Sequence, residues 1–168
     1  MKTIKWLKWG VILLGILFSA MMFYKWKYSM GISEGYRINT PDASTSLLIA
    51  TQASAYKDQV SKIITDELKG MDLFVEVLDI TQLDCKKHNE YDAYIFLHTW
   101  EMYKVPEALS QFLNNCKVEK NSFFISTSGD GNLILEGVDG ITSASVLLDA
   151  EKDANKALEW LRLHLDRA

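Results

Sequence analysis

Three short stretches of the chain carry side chains able to hold or act on a ligand. The first is Thr51-Gln52-Ala53-Ser54-Ala55-Tyr56-Lys57, where hydroxyls, an amide and a lysine surround what reads as the start of a helix. Free N–H groups and a positive dipole end at such a start attract an anion. The second is His98-Thr99-Trp100-Glu101-Met102-Tyr103-Lys104. Trp100 and Tyr103 offer aromatic faces to a flat ligand, and His98 and Glu101 are groups suited to passing a proton. The third runs from Ser126 through Thr127, Ser128, Gly129 and Asp130 to Gly131, and supplies hydroxyls and amides for a ring edge or phosphate.

Each stretch also has an ordinary reading. A lone His at the end of a buried strand is more often a satisfied structural residue, Trp100 and Tyr103 could simply cover a loop, and the Gly-rich turn would look the same with no ligand. No catalytic residue is assigned. No GxSxG elbow and no Walker loop is present, which sets aside hydrolase and nucleoside-triphosphatase chemistry. Cys85 and Cys116 have neither CxxC spacing nor a nearby His pair, so no metal site is expected.

The elements that must position these stretches follow from hydrophobic pattern. Ser46 to Thr51, Leu73 to Ile80, Ala93 to His98 and Ser122 to Ser126 are apolar runs of strand length, and Val138 to Thr142 is the best candidate for a fifth strand. Val60, Ile63, Ile64 and Leu68 recur at helical spacing. So do Val105, Leu109, Phe112 and Leu113, and later Ala154, Leu158, Leu161 and Leu165, with Asp149 placed to cap that last helix. Alternation of strand and helix implies a parallel, mostly five-stranded sheet with helices on both faces, an α/β three-layer sandwich. Ligands of such sheets sit beyond the carboxyl ends of the strands, where all three stretches fall. Tyr91 to Lys104 would be the central strand with its ligand-facing loop.

The first 28 residues differ from the rest. They hold five Lys and no acid, while residues 29–168 hold thirteen Lys and Arg against twenty-two Asp and Glu. An acidic body without an Arg cluster argues against nucleic acid as a partner. Trp9 to Tyr24 is uncharged and lysine-flanked, and its sixteen residues would span roughly 24 Å as a helix, a little short of a ~30 Å hydrocarbon core that Trp6, Trp26, Tyr28 and lysine stems could make up. A transmembrane anchor over residues 1–28 is favoured over a cleaved signal, because Phe18-Ser19-Ala20 puts a bulky residue where the cleavage site needs a small one. Lysines nearly balance across the run, and the terminal amine tips the expected topology towards N-terminus inside and domain outside. Residues 29–45 read as a spacer and 46–168 as the domain. If the domain is exported, a Cys85–Cys116 disulfide closing a loop of ~30 residues could add around 3 kcal/mol.

Residues 46–168 resemble a flavodoxin-type domain. The resemblance is carried by the opening strand and helix, by YDAYIFLHTWEMYKVPEALSQFL from Tyr91 to Leu113, and by FFISTSGDG from Phe123 to Gly131. It implies a flavodoxin-like fold, FMN or a similar flat anionic ligand, electron transfer and a redox partner protein. The flavin phosphate would fall to Thr51, Gln52, Ser54, Tyr56 and Lys57. The ring would fall to Thr99, Trp100, Glu101 and Tyr103 with Ser128 to Gly131. Flavodoxins usually carry a Gly in the first loop, and this chain has none there. A fold that has lost its cofactor and serves as a binding or scaffold module is the alternative. A second, local resemblance links Asp139 to Ser145, DGITSAS, with the segment at which some membrane flavoproteins attach FMN covalently, and would make Ser145 the acceptor.

Overall fold

A computed structural model describes residues 2–28 and 30–166, and within the first helix the side chains of 8–24. The chain divides into two compact units, Met1–Met30 and Gly31–Ala168. The first is a single helix, α1 (Lys2–Tyr28). Its apolar side chains from Trp9 to Tyr24 are exposed. Among the described residues no helix is long and apolar enough to cross a membrane, so the expected transmembrane span is not found there. The seventeen described side-chain positions, 8–24, cover roughly 25 Å at helical rise, less than the ~30 Å of a hydrocarbon core. Trp6, Trp26, Tyr28 and the lysines at 2, 5, 25 and 27 lie outside the described side chains.

The second unit contains β1 (Tyr36–Ile38), β2 (Thr45–Thr51), α2 (Ala55–Leu68), β3 (Leu73–Asp79), α3 (Cys85–His88), β4 (Ala93–Thr99), α4 (Glu107–Cys116), β5 (Ser122–Thr127), β6 (Asp139–Ser143) and α5 (Ala150–Leu165). One sheet joins all six strands in the order β1-β3-β2-β4-β5-β6. β2 to β6 are parallel, and their order, counted from β2, is 2-1-3-4-5, with the topological switch between β2 and β4.

Two expectations are corrected. The sheet is mixed and six-stranded, because Tyr36–Ile38 pairs antiparallel with β3. The stretch expected to be a spacer from residue 29 to 45 therefore contributes the sheet's edge from Tyr36. Asn39 fastens it by donating to the carbonyls of Leu68 and Leu73 at 2.8 and 2.7 Å.

Alternation along the strands splits the core in two. Leu47, Ile49, Ile95, Leu97 and Ile125 face α2 and α5, packing on Val60, Ile64, Ala154 and Leu158. Leu48, Ala50, Tyr94, Phe96 and Phe124 face α4 through Leu109 and Phe112. Tyr56 joins the two helices of the first face, donating to Asp153 at 2.6 Å. The crossover from β5 to β6 has no helix; Leu135 and Val138 pack on the α4-side core instead. Asp149 stands at the N-cap of α5 but makes no side-chain cap bond. At the edge opposite the ligand loops, Cys85 and Cys116 are disulfide-bonded with Cα atoms 5.6 Å apart, tying α3 to α4.

Candidate functional site

Burial rather than exposure marks the first stretch. Ser54 caps α2, its hydroxyl accepting from the Lys57 amide at 3.2 Å, which leaves the amides of Ala55 and Tyr56 among the orphan donors of the first turn. Lys57 turns inward and has no exposed surface. Its ammonium donates to the Thr99 hydroxyl at 2.6 Å. The Thr99 and Thr127 hydroxyls are 2.8 Å apart, and Thr127 donates to the His98 carbonyl at 3.1 Å. One proton per hydroxyl fixes the direction: Lys57 to Thr99, Thr99 to Thr127, Thr127 to the main chain. Loss of hydration pushes the Lys57 pKa down from 10.5 to about 8, partly offset by Asp58 and Glu101.

Gln52 pins the strand end. Its carbonyl oxygen accepts from the Thr99 amide at 2.7 Å, and its amide nitrogen donates to Glu101 at 3.0 Å. Thr51 is buried, its hydroxyl donating to the Gln52 carbonyl at 3.3 Å. Tyr56 is also buried, and its hydroxyl is taken by Asp153; burial, with that bond second, raises its pKa. The structure therefore turns Tyr56 towards α5 rather than the ligand loops.

Glu101 and Lys104 exchange both backbone hydrogen bonds, at 2.8 and 3.0 Å. The turn between them holds Met102 at φ 49° and Tyr103 at φ 62°. Two left-handed residues in a row make a type I′ turn, which normally calls for Asn-Gly. The strain lifts Tyr103 off the domain, 83% exposed, beside Met102 at 77%. Trp100 goes the other way. It follows Tyr94, Phe96 and His98 in the alternating column on the α4 side, its ring centroid 5.8 Å from that of His98, and its buried indole N–H has no partner among the described residues.

His98 is buried and meets Ser126, Nε2 to Oγ, at 2.8 Å, while its Nδ1 has no partner among the described residues. Burial, then the Lys57 charge, lowers its pKa from 6.5 to about 4. The imidazole is sealed under the sheet edge, held against Ser126 and away from solvent.

The third stretch is a closed turn. Asp130 accepts from the Ser128 hydroxyl and the Asn132 amide, at 3.1 and 3.3 Å, and these bonds, the amide's first, hold its carboxyl below the usual range. Ser128 is anchored through its amide to the Ser143 carbonyl at 3.2 Å. Gly131 has φ +69°, and a Cβ there would sit 2.8 Å from the Ala144 nitrogen, so no other residue fits. Gly129 lies exposed between them. Asp139 to Ser145 is β6 and its turn, with Ser145 exposed at φ 58°. The local likeness to a flavin-attachment segment gains no support from that setting.

The structure thus brings Gln52, Ser54, Lys57, Thr99, Glu101, Tyr103 and the 128–131 turn to one edge, leaves Trp100 half-buried beside them, and withdraws Thr51 and Tyr56. Among the described residues no cluster of His, Cys, Asp or Glu could hold a metal ion. The sequence reading missed exposed Leu147 and Leu148 at the same edge, whose only signal was an apolar run, Val146 to Leu148, lying outside any helical period.

No family model matches the chain, and no curated protein sequence matches it. Solved structures do. A flavodoxin from Streptococcus pneumoniae TIGR4 aligns with TM-score 0.52 and 12% identity over 71% of this chain and 99% of its own. A flavodoxin from the domain Archaea gives 0.51 and 10% over 71% and 99%. The flavodiiron core of a Synechocystis protein gives 0.52 and 10%, over 76% of this chain and 38% of that longer one. At such identities the likeness is one of architecture, and the chain has an α/β flavodoxin-like fold.

Proposed function

We propose that the Gly31–Ala168 unit binds FMN, or a similarly flat anionic ligand, non-covalently at the carboxyl edge of its sheet and passes electrons to a redox partner protein at a membrane. The observation that carries this is the strained Glu101–Lys104 turn presenting Tyr103 beside an α2 start that has a buried cation beneath it. The residues fit the group. Lys57 and the first-turn amides supply positive potential for a phosphate, Tyr103 a stacking face, and the 128–131 turn a wall for the ring edge. Bound flavin would supply the redox chemistry; the chain's own part is to orient it and shield it from water.

A binding module without cofactor is the second reading. It is favoured by the closed hydrogen-bond relay, since the hydroxyl protons of Thr99 and Thr127 are already spent within the domain.

Residues 9–24, uncharged and exposed, are proposed to seat in a lipid bilayer, because an exposed apolar surface of that size is unstable in water. The bridged cysteines support a domain on the outer, oxidising side.

Titrating the purified full chain with FMN tests the ligand. Saturable quenching of flavin fluorescence near 1:1, weakened by Tyr103→Ala, is expected. Protein that ignores added FMN overturns the first reading in favour of the second.

A further inference from the structure

Beside its core-facing stripe of Val60 and Ile64, α2 carries a second one, Asp58, Ser61, Lys62, Thr65, Asp66 and Lys69 at helical spacing. This stripe forms one wall of a cleft of about 570 Å³, a volume ordinary for a small-molecule site. Val77 of β3, Tyr36 and Ile38 of β1, and the chain leading into β1 form the rest. That chain is pinned. The Ala53 amide donates to the Gly31 carbonyl at 3.1 Å in an isolated antiparallel bridge, and the Ser33 amide donates to Asp79 at 2.7 Å. A Cβ on Gly35 would stand 3.1 Å from the Val77 carbonyl oxygen, so the segment lies close against β3.

The α2 wall holds a polar group that the domain leaves unsatisfied. Thr65 donates to the Lys62 carbonyl at 3.1 Å, so the Tyr36 hydroxyl, 3.3 Å away, donates to Thr65. Ser61 stands one turn earlier and is 3% exposed, and its hydroxyl has no partner among the described residues. A serine within a helix can return its hydroxyl to the carbonyl four residues back. This one does not, and it lines the cleft as an open donor and acceptor. Charge at the rim is uneven. Glu34, Asp58 and Asp66 stand with Lys62 and Lys69 around the opening, and Lys69 is paired with Asp66 at 2.5 Å. Among the described residues Glu34 and Asp58 make no ion pair, which leaves two carboxylates against one ammonium.

We infer that this cleft binds a small amphipathic amine. Asp58 and Ser61, three residues apart on one face of α2, hold its ammonium, with Glu34 adding negative potential at the rim. Its apolar body lies on Ile32, Ile38 and Val77, beside the Tyr36 ring. The inference stands apart from flavin binding, since none of Lys57, Thr99, Tyr103 or the 128–131 turn lines this cleft.

Amide shifts of the nitrogen-15-labelled full chain, followed on adding 2-phenylethylamine, test this, with 2-phenylethanol and 3-phenylpropanoate as neutral and anionic probes. The amine should move the amides of Tyr36, Ser61 and Thr65 saturably and bind several-fold tighter than the alcohol, and the anion should leave them in place. Ser61→Ala, which suits a helix, should weaken the amine about fivefold, and Asp58→Asn should weaken it several-fold. Each variant's own amide spectrum reports that it is folded. No saturable shift at these amides, or equal affinity for all three probes, overturns the site. Amine binding that both variants leave unchanged overturns it as well.

Discussion

Lys57 and Thr99 meet at 2.6 Å beneath the strand ends, an ammonium bonded to a neutral hydroxyl with no exposed surface and, among the described residues, no salt bridge. A buried charge without a close counter-ion is costly, and its persistence beside an exposed aromatic is what an anion site would require.

The cost has a definite pH signature. Lys57 titrates at about 8 in the folded state against 10.5 ordinarily, so between those values the unfolded chain binds more protons and stability rises with pH. Urea unfolding should show a gain of up to about 3 kcal/mol from pH 8 to 10.5, present in full only above that window. Lys57→Met should lack this increment and be more stable than the parent at pH 7. It should also lose FMN affinity.

His98 works at the acid end. Its folded pKa of about 4 lies below the ordinary 6.5, so the folded state resists protonation and stability falls as pH drops through that interval. The loss should reach about 3 kcal/mol by pH 4. His98→Gln should remove this part of the acid slope, read as the difference between the two proteins' urea midpoints at pH 7 and pH 4.

The turn at Met102 and Tyr103 trades stability for presentation. Replacing the pair with Asn-Gly relieves two left-handed non-glycine residues, each costing about 1–2 kcal/mol. The variant should melt higher than the parent by calorimetry and bind FMN more weakly. Unchanged melting would mean that the turn is not strained.

The disulfide closes a loop of 31 residues. On the chain-entropy model its removal in Cys85→Ser/Cys116→Ser should lower the unfolding free energy by about 3–4 kcal/mol, measured by urea titration without reductant. Reductant should bring the parent to the same midpoint and leave the variant where it is.

Much of the architecture was legible because burial on both faces forces unbroken apolar runs: Leu47 to Ala50, Ala93 to Leu97 and Phe123 to Ile125 could be little else. The half-buried setting of Trp100 was readable. Tyr94, Phe96, His98 and Trp100 alternate, and period-two alternation sends all four to one face. β1 was not readable, since Tyr-Arg-Ile has no local pattern and exists as a strand only through pairing with residues 75–77. Nor was the inward path of Lys57, which depends on Thr99 and Thr127 being brought beneath it by two other strands. The left-handed pair at 102–103 carries none of the usual turn residues, so only the backbone shows it.

The antiparallel edge has a consequence for the order in which the domain assembles. Tyr36 to Ile38 is made early in synthesis, yet its one partner strand is made some forty residues later. Until β3 emerges this segment has no strand in the sheet to pair with, so its docking waits on a segment distant in the sequence. The opening free energy of the amides at 36–38, read by native-state hydrogen exchange, should accordingly lie well below that of β2 and β4.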